Sequence, residues 1–282
     1  MKIRLYIQHG ATKSMVRIIM ICWSVLVVYP LIWAVQTSFK INKEFYQSIW
    51  ALPKVFHWEN YVNAWIKSNV SVFFSNTLYV TALAMVISLF IIALAANALG
   101  RFDNKLTKFL STYFILAYMI PGSIAVIAQF FLLRNLGLTN SLNGLSLKYV
   151  ADSIPFSLFV LTGFFRTLPK ELEESAEMDG AGYFRTFLQI MLPLSKPGIM
   201  TIAIFNFMGF WNEYFFALIM MTDRTKYTIS VGIARMVAVS SFKPEWGVLF
   251  AACVIVMAPV IVMYIIFQQN ISQGITSGAV KG

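Results

Sequence analysis

IIMICWSVLVVYPLIWAVQTSF, residues 18–39, carries no charged residue over 22 positions. A helix crosses the hydrocarbon core of a bilayer with about 20 apolar residues, so this run is long enough to span one. Lys2, Arg4, Lys13 and Arg17 precede it. A secretory leader would have a shorter apolar region and a small-x-small cleavage site after it. Neither feature is seen, and the run reads as an uncleaved spanning helix.

Five further apolar runs follow, at about 70–99, 109–133, 149–165, 198–221 and 247–267. The fourth is the weakest, since Asp152 and Pro155 fall in it, and the fifth contains Glu213. The whole chain of 282 residues is 59% hydrophobic and 12% charged, against roughly 25% charge in soluble domains. One soluble core could not hide so much apolar surface. In lipid every backbone polar group must be satisfied within the segment, and runs of these lengths do that as helices rather than barrel strands. The expected fold is therefore all-α and polytopic, with six transmembrane helices.

Six spans place both termini on one side. Residues 1–17 carry four cations and the tight loop 100–108 adds Arg101, Lys105 and Lys108; the opposite loop 134–148 holds only Arg134 and Lys148. Short-loop Lys and Arg mark the cytoplasmic face, which puts both termini there, although over all loops the split narrows to twelve against ten. Net charge is +10, but the cations are scattered between apolar runs instead of clustered. That pattern belongs to headgroup flanks, with membrane lipid as the partner and no nucleic acid. Cys22 and Cys253 lie inside apolar runs and imply neither a disulfide framework nor a metal site. The segment 40–69 contains HWENYVNAW at 57–65, whose aromatics suit an interfacial belt or a partner surface. Pro121-Gly122 and Pro155 are expected to kink their helices; Asn97, Tyr118 and Gln129 read as packing groups.

Residues 173–194, EESAEMDGAGYFRTFLQIMLPL, stand apart. Glu171, Glu173, Glu174, Glu177 and Asp179 are five of only twelve acids in the chain. Pro169 suits the first turn of a helix, early carboxylates suit its N-terminus, and Gly180 suits the position just past its end. A second short helix is expected with Phe184, Phe187, Leu188 and Met191 on one side and Arg185, Thr186 and Gln189 on the other. Pro193 and Pro197 end it. Physics alone leaves two readings: a surface for docking into a soluble partner, or a solvated loop.

The spacing Glu174-Ser175-Ala176, three residues, Gly180, nine residues, Ile190-x-Leu192-Pro193 resembles the EAA motif of the membrane subunits of ABC importers, with Ser175 in place of the first Ala. Trp211-Asn212-Glu213-Tyr214, Glu59-Asn60-Tyr61 and the ending at 274–282 are similar to the maltose-type carbohydrate branch. The resemblance implies a type I importer transmembrane domain: cytoplasmic residues 1–17, a first helix 18–39, an extracytoplasmic linker 40–69, a core 70–267 with coupling segment 169–194, and a tail 268–282. It implies that residues 169–180 form a coupling helix seated in an ATPase cleft. Glu174 would pair with a basic group there, Gly180 would allow the turn, Ala176 and Ala181 would allow close approach, and Ser175, Asp179, Ile190, Leu192 and Pro193 would complete the ATPase-coupling set. Gly278, Lys281 and Gly282 would reach the interface between the ATPases. The implied partners are a second, homologous permease subunit, an ATPase dimer holding ATP-Mg, and an extracytoplasmic solute-binding protein. This chain shows no phosphate loop and would bind no nucleotide itself. The implied localisation is a prokaryotic cell membrane.

Ionisable groups within spans default to functional hypotheses. Glu213 is the clearest, with Asn206 seven residues earlier on nearly the same face. Asn212 could add hydrogen bonds, and Trp211 and Tyr214 flat apolar faces, for a hydroxyl-rich cargo such as a sugar. The competing reading is hydrogen-bonded glue between permease subunits. Sugars, oligosaccharides and glycerol-phosphate-like solutes all remain open. A secondary carrier should show inverted repeats and ionisable relays, and an enzyme a nucleophile–base pair; no such feature is present, His9 and His57 lying outside the spans.

Overall fold

The computed structural model describes the backbone of residues 2–240, 242 and 244–279, and the side chains of 13–240, 242 and 244–268. In chain order the helices are α1 (Lys2–Ser38), α2 (Asn42–Gln47), α3 (Glu59–Val62, prolonged by a π turn at Asn63–Lys67), α4 (Val70–Arg101), α5 (Lys105–Met119) and α6 (Gly122–Asn135). Then come α7 (Leu142–Phe165), α8 (Glu171–Met178), α9 (Tyr183–Thr186, prolonged by a π turn at Phe187–Met191), α10 (Leu192–Leu194), α11 (Lys196–Asn212), α12 (Phe215–Met220), α13 (Ile229–Ser240) and α14 (Trp246–Ala279). No strand occurs among the described residues. Among the described residues four helices are long and apolar enough to cross a membrane: Lys13–Ser38, α4, α7 and Trp246–Gln268. Two bent pairs, α5 with α6 and Tyr183–Leu194 with α11, bring the number to six.

The first of these bends has a local cause. Between α5 and α6 the axis turns by 103°. Ile120 precedes Pro121 and is held extended at φ −77, ψ 121, because the proline ring crowds the helical conformation of the residue before it. The kink expected at Pro121-Gly122 is thus a corner. Pro155, by contrast, stays inside an unbroken α7. That helix begins at Leu142, seven residues before the expected fourth run, and so takes Lys148 out of the expected loop. The fifth run also differs: α11 stops at Asn212, Glu213 is extended at φ −63, ψ 127, and α12 resumes at Phe215. α13 lies in a stretch expected to be loop, and the 268–282 tail is not a separate segment: α14 continues through it to Ala279.

The chain divides into two packed units. One comprises Met1–Val70 and Ile233–Met257. In it α1 presents Ile18, Ile21, Trp23 and Leu26 to the outside, a surface suited to lipid. The aromatics of the 40–69 segment pack on one another: Phe39 meets Phe56, Trp58 and Tyr61 at ring distances of 5.2, 4.7 and 5.3 Å. Lys40 is 1% exposed and donates to the carbonyls of Ser48 and Ile49. Burial lowers its pKa, opposed by the charge of Glu44. Asn60, from the Glu59-Asn60-Tyr61 match, donates to the carbonyls of Ser38 and Lys40, tying the end of α1 to α3. Part of what read as a belt is therefore a small folded cap.

The other unit comprises Ser71–Gly232 and Ala258–Gly282. Its core is organised around α7. One apolar cluster gathers Val80, Tyr149, Phe210, Phe216 and Met220; the other gathers Ile92, Leu158, Leu161, Phe165, Phe187 and Ile202. α4 approaches α7 closely where Gly100 meets it: a Cβ on Gly100 would sit 3.0 Å from the Cβ of Phe165.

Candidate functional site

The acidic segment is a helix, a turn and a helix. α8 starts after Pro169, which therefore precedes the helix instead of lying in its first turn. Its first turn holds Glu171, Glu173 and Glu174, where the helix dipole favours carboxylates. It ends in a Schellman motif: Gly180 N–H bonds the Glu177 carbonyl and Ala181 N–H the Ala176 carbonyl, both at 2.9 Å. Gly180 sits at φ +76, yet a Cβ there would meet nothing within 4 Å. The glycine is required for its backbone angle, and its side-chain position is open within this chain.

Glu174, Ser175, Asp179 and Gly180 are exposed, Ala176 is buried and Ala181 half-buried. Met178, at 88% exposure, stands among the acids, with Leu172 and Phe184 exposed nearby in sequence. The following helix turns its faces differently from expectation. Thr186, Phe187 and Met191 point inward and Phe184 and Leu188 outward, because the π turn carries more residues per revolution than an α turn and shifts the buried face. Ile190 and Leu192 are half-buried; Leu192 and Pro193 line an apolar groove of about 450 Å³ with Leu89 and Ala93 of α4. Gly278 lies within α14, whereas Lys281 and Gly282 fall outside the described residues.

The end of α4 holds this segment at two points. Arg101, whose side chain is 5% exposed, donates from Nε to Glu173 Oε2 at 2.7 Å. Its Nη1 donates to the carbonyls of Phe165 and Leu168 and its Nη2 to that of Pro169, at 3.2, 2.8 and 3.0 Å. On the other side of the turn, Asn97 donates to the Tyr183 hydroxyl at 2.7 Å, and the Tyr183 ring stacks on Phe102 at 5.4 Å. A cation at the C-terminus of α7 is electrostatically favoured. The planar guanidinium reaches four acceptors that one ammonium could not. Asn97 was read as bundle packing and Arg101 as a topogenic charge. No local pattern marks their pairing with residues some 70–90 positions away.

The second constellation surrounds the break between α11 and α12. Glu213 accepts from Phe216 N–H at 2.7 Å, Ala217 N–H at 3.0 Å and the Tyr149 hydroxyl at 2.9 Å. It is a cap for α12. Asn212 donates to the Met208 carbonyl and is exposed, as is Tyr214. Trp211, expected to offer a flat face to cargo, is 1% exposed and packs on Phe74 and Phe207 at 5.5 and 5.6 Å. It is a core residue. The W-N-E-aromatic stretch thus diverges: its tryptophan buries, its glutamate caps, and the residues flanking the glutamate face out.

Asn206 and Glu213 do line one cavity, of about 460 Å³, together with Tyr118, Lys148, Asp152 and Phe205. Lys148 pairs with Asp152 at 2.6 Å, and Gln129 donates to the other oxygen of Asp152 at 3.0 Å. Lys148 Nζ also lies 4.4 Å from the Phe216 ring centroid. With α7 starting at Leu142, Lys148 and Asp152 are one turn apart on a helix, the spacing at which opposite charges meet. That signal was present in the sequence and was obscured by starting the run at 149.

Residues 90–277 match the family model described as "binding-protein-dependent transport system inner membrane component". The chain is 36% identical to the diacetylchitobiose uptake system permease protein NgcG of Streptomyces coelicolor, covering 93% of this chain and 87% of that one. It is 34% identical to the trehalose/maltose transport system permease protein MalG of Thermococcus litoralis, covering 93% and 94%. Its fold matches a chain of a bacterial ABC transporter that imports the acidic polysaccharide alginate, with TM-score 0.80, 21% identity and coverage of 90% and 94%.

Proposed function

Because this chain belongs to the family of inner-membrane components of binding-protein-dependent transport systems, we propose that it is one permease subunit of an ATP-driven importer for a sugar or oligosaccharide. The sugar assignment is supported by the uptake systems of its relatives. Its partners in this reading are a homologous permease, an ATPase dimer that holds ATP-Mg, and a solute-binding protein outside the cell. The chain itself contributes half of the translocation path and no hydrolysis.

The observation that carries the reading is the α8–Gly180–α9 segment, exposed on its acidic and Met178 side and held to α4 and α7 by Arg101 on the other. A lever must be presented to a partner and rigidly joined to what it moves. The exposed carboxylates suit a basic cleft on the ATPase, with Met178 as an apolar anchor at its centre. Closure of that dimer on ATP would displace α8, and the Arg101 clamp would pass the movement to α4 and α7. Rigid-body rotation would then switch the path from inward- to outward-facing. In this reading the coupling segment and both termini lie in the cytoplasm.

The test is to tag the chain, extract it gently from its native membrane and identify what co-purifies. A stoichiometric ATPase and a second permease support the reading, and a saccharide that stimulates ATP hydrolysis completes it. Recovery of the chain alone, or as a homodimer without an ATPase, overturns it.

A further inference from the structure

A cavity with both aromatic and polar walls lies beside α7 and α11. Its volume of about 460 Å³ falls within the roughly 300–1,000 Å³ of small-molecule sites. One wall is aromatic: Tyr118 lies 5.6 Å from Phe156, and Phe156 meets Phe205 edge-on at 5.4 Å. The facing groups are polar, and they divide by what they have left to give. Glu213 is engaged at both oxygens by two backbone N–H groups and the Tyr149 hydroxyl. Asn206 is only partly engaged. It is 5% exposed and accepts from the Ser157 hydroxyl at 3.1 Å, and its Nδ2 has no hydrogen-bond partner. Leaving a buried amide donor unpaired is costly, and so is placing an ion pair in an apolar helix. Lys148 and Asp152 form such a pair within α7 at the same cavity.

From this juxtaposition we propose that the cavity is a saccharide subsite carried by this subunit, selective for uncharged sugar rings. The apolar C–H face of a pyranose packs on Tyr118 and Phe156, in the way flat aromatic surfaces take up apolar faces while leaving polar edges free. Ring hydroxyls accept from Asn206 Nδ2 and bridge the spare capacity of Lys148 and Asp152. Selection against acidic sugars follows from charge. Lys148, the one cation among the cavity's described lining residues, is paired with Asp152. An anionic ring would meet no free positive partner. The proposal rests on the sugar-importer reading and adds to it where the sugar is held and which chemical class is admitted.

Gly209 lines the same cavity, and a Cβ added there meets nothing within 4 Å. Gly209→Cys, in a chain carrying Cys22→Ala and Cys253→Ala, therefore reports on the cavity without filling it. The complex that co-purifies with this variant is reconstituted in liposomes with its binding protein. Import of maltose, trehalose, N,N′-diacetylchitobiose and an alginate trisaccharide is measured. The rate at which methyl methanethiosulfonate modifies the introduced thiol is followed by mass spectrometry with each.

An imported neutral sugar is expected to slow modification severalfold, and the acidic trisaccharide to leave it unchanged. Tyr118→Ala and Asn206→Leu should each raise the half-protecting concentration about tenfold, the effect of losing one good contact. Import of a neutral sugar with no slowing at any concentration overturns the subsite and leaves the importer reading standing. So does an introduced thiol that is inert throughout, which would mean that a neighbouring subunit fills the cavity. Equal protection by the acidic trisaccharide overturns the selectivity. Failure of every probe to be imported, with no ATPase in the complex, overturns the importer reading and the subsite with it.

Discussion

Arg101 and Glu173 meet at 2.7 Å, one at the last turn of a 32-residue helix and the other at the first turn of the short acidic helix. Around that pair the same guanidinium takes up three carbonyls at and beyond the end of α7. One buried side chain thus joins three helices at the base of the acidic segment.

Replacing Arg101 with Ala should free α8. Hydrogen bonds made by a charged group are worth about 1.5–3 kcal/mol, and the local segment should lose about that much. Hydrogen exchange across 169–181 is expected to rise, and saccharide-stimulated ATP hydrolysis to fall, in a complex that still assembles. Arg101→Lys should rescue little, since an ammonium cannot span the four acceptors. Unchanged exchange in that segment would show that Arg101 clamps nothing.

Gly180 makes a sharper case, because its side-chain position is open and only its backbone angle is special. A left-handed residue other than glycine costs about 1–2 kcal/mol, while Asn tolerates that conformation better. Transport should fall in the order Gly, Asn, Ala, Val at equal membrane levels. A Val variant as active as the native chain would contradict the Schellman turn as the feature under constraint.

Glu213→Gln should destabilise the chain without changing its choice of sugar. Three donors converge on the carboxylate, and an amide offers one acceptor oxygen, so at least one donor is left unpaired at about 1–3 kcal/mol. Tyr149→Phe removes one of those donors together with its bond and should cost less. Thermal unfolding in detergent measures both. A Gln variant that melts with the native chain would remove Glu213 from its capping role.

Trp211→Ala is expected to reduce folded yield and stability by about 3–5 kcal/mol, as for other buried aromatics emptied to Ala. Trp211→Phe should retain transport with unaltered sugar preference, since the ring faces Phe74 and Phe207 and not the cavity. A changed preference in that Phe variant, measured by competition between two labelled sugars, would return Trp211 to the substrate path.

Much of the architecture was legible because apolar run length is a local property read against a fixed bilayer thickness. The end of α1 near residue 39, the start of α4 at Val70, the helix over 171–178 and its glycine stop all follow from residues within a few positions of one another. The fold class and the helix-and-turn form of the acidic segment were therefore determined by the sequence itself. What it left undecided lies between distant residues. Whether Glu213 faces cargo or caps a helix depends on a helix break that no composition signals, and Trp211 is buried only because Phe74 lies against it. Arg101 looks like any flanking cation until Glu173 is seen 72 residues away. Lys148 joins the cavity only because α7 starts early enough to carry it. Run length and capping chemistry are settled by near neighbours along the chain. The donors left unpaired, the charges that meet and the rings that face a cavity are settled by neighbours in space, and those the tertiary structure alone decided.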